Sequence, residues 1–164
     1  MYLSRMASTA TSSRFERLLD AAFATGTLTA IATGGALLGL GWREGEVGRV
    51  FRLAGRGLLE RLGVTSSAAP LTSVALGYLH HLVIATSWGV ALALLVLPLR
   101  GIVRPLAALL AAAVYVTLAA AMLPAPLRIG YAVTASIPGA VPIGAALALA
   151  LLGGCWLYAT DEER

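Results

Sequence analysis

Residues 72–99 read TSVALGYLHHLVIATSWGVALALLVLPL, with no Asp, Glu, Lys or Arg among them. The run is longer than the ~20 residues that a helix rising 1.5 Å per residue needs to cross ~30 Å of hydrocarbon. Ala and Leu dominate and nothing alternates with period two, which argues against a barrel strand. Backbone groups in lipid must be paired within their own segment, so the expected element is a helix. Three further stretches share this character: residues 19–41, 103–123 and 133–158.

Composition agrees. Of 164 residues, 59% are hydrophobic and 12% charged, where a soluble domain carries about 25% charge. Mean hydropathy is +0.84. All twelve basic residues are Arg, and the net charge of +4 suits headgroup anchoring rather than nucleic acid. The single Cys155 excludes an internal disulfide and a Cys-based metal cage, and reads as a small packing residue. The opening MYLSRMASTATSSRFERLLD is too polar, and the apolar run behind it too long, for a cleaved signal peptide; Met6 is an alternative start.

The links between the apolar stretches set the architecture. PLRGIVRP, residues 98–105, is a tight hairpin between the second and third, and PAPLRIGYA, residues 124–132, stops the third at its prolines. Short links force antiparallel neighbours, so the expected fold is all-α: an integral membrane four-helix bundle. The first link is long. Around residues 46–63, Val47, Val50, Phe51, Ala54, Leu58 and Leu62 share one helical face, and Arg49, Arg52, Arg56 and Glu60 the other. This predicts an amphipathic helix in the membrane surface, its apolar side in the acyl boundary, broken by Ser66, Ser67 and Pro70. Residues 1–18 then form a polar tail, 19–158 one membrane domain and 159–164 a C-terminal tail.

Orientation is balanced. Arg5, Arg14, Arg17, Arg100, Arg104 and Arg164 fall on one side, and Arg43, Arg49, Arg52, Arg56, Arg61 and Arg128 on the other. The tight double-Arg hairpin favours both termini in the cytoplasm, in a bacterial inner membrane.

Soluble-enzyme signatures are absent, and no enzyme activity is expected. Asp20 reads as an acid at a helix N-terminus, and no carboxylate lies deeper in any stretch, which leaves no machinery for a proton relay. His80 and His81 are the ionisable pair inside an apolar run. Adjacent helical residues point about 100° apart, so the two rings cannot share one metal ion. His81 belongs to a ridge of small residues, Gly77, Ala85, Gly89 and Ala93, with Trp88 nearly in line. Such a ridge admits a second helix or a flat ligand. His80 lines up with Leu76, Ile84 and Ser87 and reads as packing. Satisfying partners for a buried imidazole abound in Thr25, Thr27, Thr29, Thr33, Tyr115 and Thr117. Gly77, four positions before His81, resembles the arrangement ahead of pigment-ligating histidines in bacterial light-harvesting polypeptides, which are single-span proteins. That resemblance, over a handful of residues, implies a bacteriochlorophyll-type pigment at His81; an imidazole there is also a candidate ligand for haem iron. Gly35 and Gly39 form a second close-contact motif, and Pro138 with Pro142 predicts a kink opening the last stretch.

Three functions compete. The first is an accessory or scaffolding subunit of a larger respiratory or photosynthetic membrane complex, with larger membrane proteins or further copies as partners beside the lipid bilayer. The second is a small oligomeric transporter or channel. The third is a tetrapyrrole-binding membrane protein using His81, with His80 and Trp88 beside it.

Overall fold

The computed structural model describes residues 2–64, 70–131, 133 and 137–162. Among them the chain is all-helical, with no strand. Helix α1 covers Tyr2–Arg43, α2 Arg49–Arg61, α3 Pro70–Val96, α4 Val103–Ala121 and α5 Ile137–Glu162, with a single 3₁₀ turn at Ala125–Leu127. Three segments are long and apolar enough to cross a membrane: Arg14–Arg43, Pro70–Val96 and Gly139–Glu162. The segment Val103–Ala119 within α4 is apolar but shorter.

The polar stretch ahead of residue 19 is continuous with α1. Asp20 therefore sits on the exposed side of a helix interior, not at an N-terminus as its reading required. The expected break at Ser66 and Ser67 and the position of Arg164 lie outside the described residues. Helix α5 starts at Ile137, so Pro138 falls in its first turn, where a proline removes an N–H that has no partner there anyway. Pro142 does lie inside α5.

Helix α1 is the centre, packing most extensively on α3 and α5; α4 leans on α5, and α3 and α4 touch little. Small residues make these seams. A Cβ at Gly89 would lie 2.5 Å from Thr29 Oγ1, one at Gly26 2.8 Å from the Thr86 carbonyl, and one at Gly154 would overlap Thr25. Apolar residues have nothing to gain in lipid by hiding from water, so close backbone approach is what holds such helices together.

Helix α2 docks on α3, and this revises the expectation for its apolar face. Val50, Phe51, Ala54 and Gly55 are buried within the chain, not immersed in acyl chains. The cause is a glycine pair. A Cβ at Gly55 would run into the Ser73 carbonyl, and one at Gly77 into the Phe51 carbonyl, so the two backbones cross at van der Waals distance. Val47, Leu53 and Leu62, on the flanks, stay exposed. Helix α2 ends at Arg61, and just beyond it Gly63, with φ +72°, permits the reversal in which Val64 N–H donates to Leu59 O and Gly63 N–H to Glu60 O.

At the other end of the molecule the α3–α4 hairpin is tied to α5. The buried Arg104 donates from Nε to Leu99 O (2.6 Å) and from Nη2 to Glu162 Oε2 (2.9 Å), and its guanidinium lies 5.0 Å from the Tyr158 ring centroid.

Candidate functional site

His80 and His81 stand where four pieces of chain meet: α1, α2, α3 and the α4–α5 loop. His81 is 4% exposed. Its Nε2 lies 3.2 Å from Ala30 O and 3.4 Å from Thr33 Oγ1 on α1. A carbonyl oxygen only accepts, so Nε2 carries the proton in this contact and Nδ1 is the acceptor of the neutral ring. Nδ1 is buried without a hydrogen-bond partner. On its other side the ring meets Phe51 of α2 edge-on, with centroids 5.7 Å apart. Gly34 makes room on α1: a Cβ there would touch the imidazole at 3.4 Å.

His80, on the adjacent face, serves the loop. Its Nε2 donates to Pro126 O at 2.8 Å, and its ring stands edge-on to Tyr131 at 6.2 Å. Tyr131 in turn presses on Gly57 of α2, where a Cβ would lie 2.6 Å from the phenol oxygen. The two imidazoles thus hold different neighbours. A cavity of about 10 Å³ lies between them and the loop, bordered by Gly77, Arg128, Gly130 and Tyr131. That is space for about one water molecule.

A tetrapyrrole does not fit at His81. Nε2 is engaged with α1, and a macrocycle cannot enter a space the size of a water. The ridge that suggested it is consumed inside the chain. Gly77 faces Phe51 and Gly55, Gly89 faces Thr29, and Ala85 is fully buried. Trp88 lies elsewhere: its indole N–H donates to Leu127 O (2.8 Å), and its ring stands 5.1 Å from Tyr115. Among the described residues no group of three or more His, Cys, Asp or Glu could hold a metal ion.

Three of the threonines of α1 turn inward. Thr25, Thr29 and Thr33 are fully buried, and their hydroxyls return to Ala21 O, Thr25 O and Thr29 O of the same helix. Of the candidate partners for a buried imidazole, Thr33 is the one brought to His81. Thr27 and Thr117 are exposed and bond within their own helices, while Tyr115 accepts from Ile129 N–H at 2.9 Å.

The surface arginines divide. Arg49 pairs with Glu44 at 3.2 Å and Arg52 with Glu46, whereas Arg56 is exposed. Gly35 and Gly39 behave unlike the other glycines of α1: nothing lies within 4 Å of a Cβ at either, and both are exposed beside Ile31, Leu38 and Trp42.

Sequence reasoning named Phe51 only as part of an apolar face and Arg104 and Arg128 only as charges bearing on orientation, and did not single out Gly55. For Gly55 a signal existed, since a glycine on the apolar face of a helix otherwise rich in Leu and Arg marks a close backbone approach.

Between α3 and α4 a cleft of about 530 Å³ opens outward. Leu92 and Val96 line one side, Ala107, Ala111 and Leu118 the other, and Trp88 and Tyr115, both bonded to the α4–α5 loop, belong to the lining. Comparison with protein-family models, with curated proteins and with solved structures returns no match for this chain.

Proposed function

We propose that this chain is a four-span integral membrane subunit that packs beside the helices of a larger bacterial-type complex, respiratory or photosynthetic, through the outer face of α1. The observation that carries the reading is the pair Gly35 and Gly39. A glycine inside a helix costs about 0.5–1 kcal/mol relative to Ala. At Gly26, Gly34 and Gly41 that cost is offset by a neighbour the chain itself supplies; at Gly35 and Gly39 the space is open. Small residues on a lipid-facing surface fit the close approach of another helix.

The fourth span in this reading is α4, whose 19 residues amount to about 28 Å of helix, close to the ~30 Å of hydrocarbon. Both termini then share one side. His80, bonded to the α4–α5 loop, marks the level where α4 ends. Ten residues of α3 precede it, about 15 Å of helix. On this reading the histidines belong to the membrane boundary, not the hydrocarbon interior, and α2, the start of α3 and the loop form a layer over that boundary. Arg56 faces outward from it.

The test is native isolation in mild detergent of the tagged wild type and of a Gly35→Leu, Gly39→Leu double variant. Wild type is expected to migrate with other subunits on a native gel, and the double variant to run alone while keeping its helical content. A wild-type chain that runs as a monomer or only with copies of itself overturns the reading.

A further inference from the structure

We propose that the small cavity beside His81 binds one internal water molecule, which donates a hydrogen bond to Nδ1 and ties α3 to the α4–α5 loop. The inference is independent of the α1 face and of whatever covers the α3–α4 cleft. It starts from an orphan. His81 is 4% exposed, and its Nδ1 has no hydrogen-bond partner among the described residues. A buried acceptor left unpaired is costly, and native chains rarely keep one. The two ring nitrogens point to opposite sides of the imidazole. With Nε2 turned to Ala30 O and Thr33 Oγ1 of α1, the Nδ1 edge is left for the other side, and His81 is one wall of the cavity there.

The walls decide what the cavity takes. Its volume of about 10 Å³ admits one water-sized molecule. His80, His81, Arg128 and Tyr131 are its polar side chains, set among apolar ones such as Val50 and Ala54 of α2. The neutral His81 ring carries its proton on Nε2, so Nδ1 is an acceptor and needs a donor. An anion offers none. A metal cation would meet the Arg128 guanidinium and find no carboxylate in the lining. Water can give and accept at once. It donates to Nδ1 and accepts from the Arg128 guanidinium, whose Nε is already held on Leu123 O at 2.8 Å. So placed, it joins the His81 ring to the loop where α2 also closes on α3 through Gly55 and Gly77.

The test is nitrogen NMR on the full chain in phosphatidylcholine vesicles at neutral pH, with isotope-labelled nitrogen only in histidine. Signals of His80 are assigned by their loss in His80→Gln. His81 is expected to show a protonated Nε2 and an unprotonated Nδ1, the latter shifted toward the hydrogen-bonded range. Magnetisation from water is expected to reach Nδ1 sooner than it reaches the backbone nitrogen of His81, which lies within α3. Ala54→Val, which fills the cavity, should abolish that transfer and move Nδ1 to the shift of an unbonded imidazole nitrogen. Arg128→Met should slow the transfer, while Leu53→Val, on the exposed flank of α2, should change nothing. A protonated Nδ1 in the wild type, or water transfer to it no faster than to the backbone nitrogen, overturns the site, and both are read without any variant that must refold. Transfer that survives Ala54→Val puts the water elsewhere and overturns it as well. Transfer untouched by Arg128→Met overturns the tie to the loop.

Discussion

At the scale of single residues, the molecule is governed by what each glycine meets. Gly77 and Gly55 let α2 and α3 cross, and a methyl group at either strikes a backbone carbonyl that cannot swing away. Gly77→Ala should therefore destabilise the fold by about 1–3 kcal/mol, the usual cost of overpacking. Gly35→Ala meets open space and should stabilise the isolated chain by about 0.5–1 kcal/mol. Unfolding titrations of the purified variants check both signs; equal effects would contradict the packing described. His81→Ala removes a buried ring that touches both α1 and α2 and should cost about 2–4 kcal/mol, more than His80→Ala at the half-buried position. The sequence shows that an imidazole pair among small residues needs an explanation. It does not show that the small residues of that ridge are occupied by this chain's own helices, since a ridge carries no label for what faces it.

At the scale of elements, hydropathy alone is enough to find the four long helices, and the hairpin prolines to place most of their junctions. The spans begin and end within a few residues of expectation at α3 and α4. The exception is α1, which extends to Tyr2 through a polar, Ser- and Thr-rich stretch that carries no hydrophobic signal. The docking of α2 was half legible. Its face of Val50, Phe51 and Ala54 stands out by periodicity, but lipid and protein both accept an apolar face, and Gly55 is what decides between them. Elements are also tied end to end by ion pairs. Arg104 is buried while Glu162 is 43% exposed, so removing the acid strands a buried cation, the costlier half of the pair to lose. Glu162→Ala should lower the thermal midpoint measurably, and Asp161→Ala, at an exposed position, should not. Equal midpoints for the two variants would remove Arg104–Glu162 as a tie between the hairpin and α5.

At the scale of the whole molecule, the medium explains what packing alone leaves open. Large apolar side chains stand exposed on every long helix, among them Ile31 at 65%, Leu95 at 72%, Leu110 at 63% and Leu149 at 69%. In water such a surface would aggregate; in lipid it is matched. The same medium gives the outward glycines of α1 a role in the reading proposed above, as a face for a neighbouring helix. The account depends on α4 crossing the membrane, since a peripheral α4 would put the cleft and the histidine layer in the wrong phase. In a Cys155→Ser background, Arg100→Cys and Leu127→Cys place single thiols at the two ends of α4. A membrane-impermeant maleimide applied to sealed, right-side-out and inverted vesicles should label them from opposite sides. Labelling of both thiols from the same side would contradict the account.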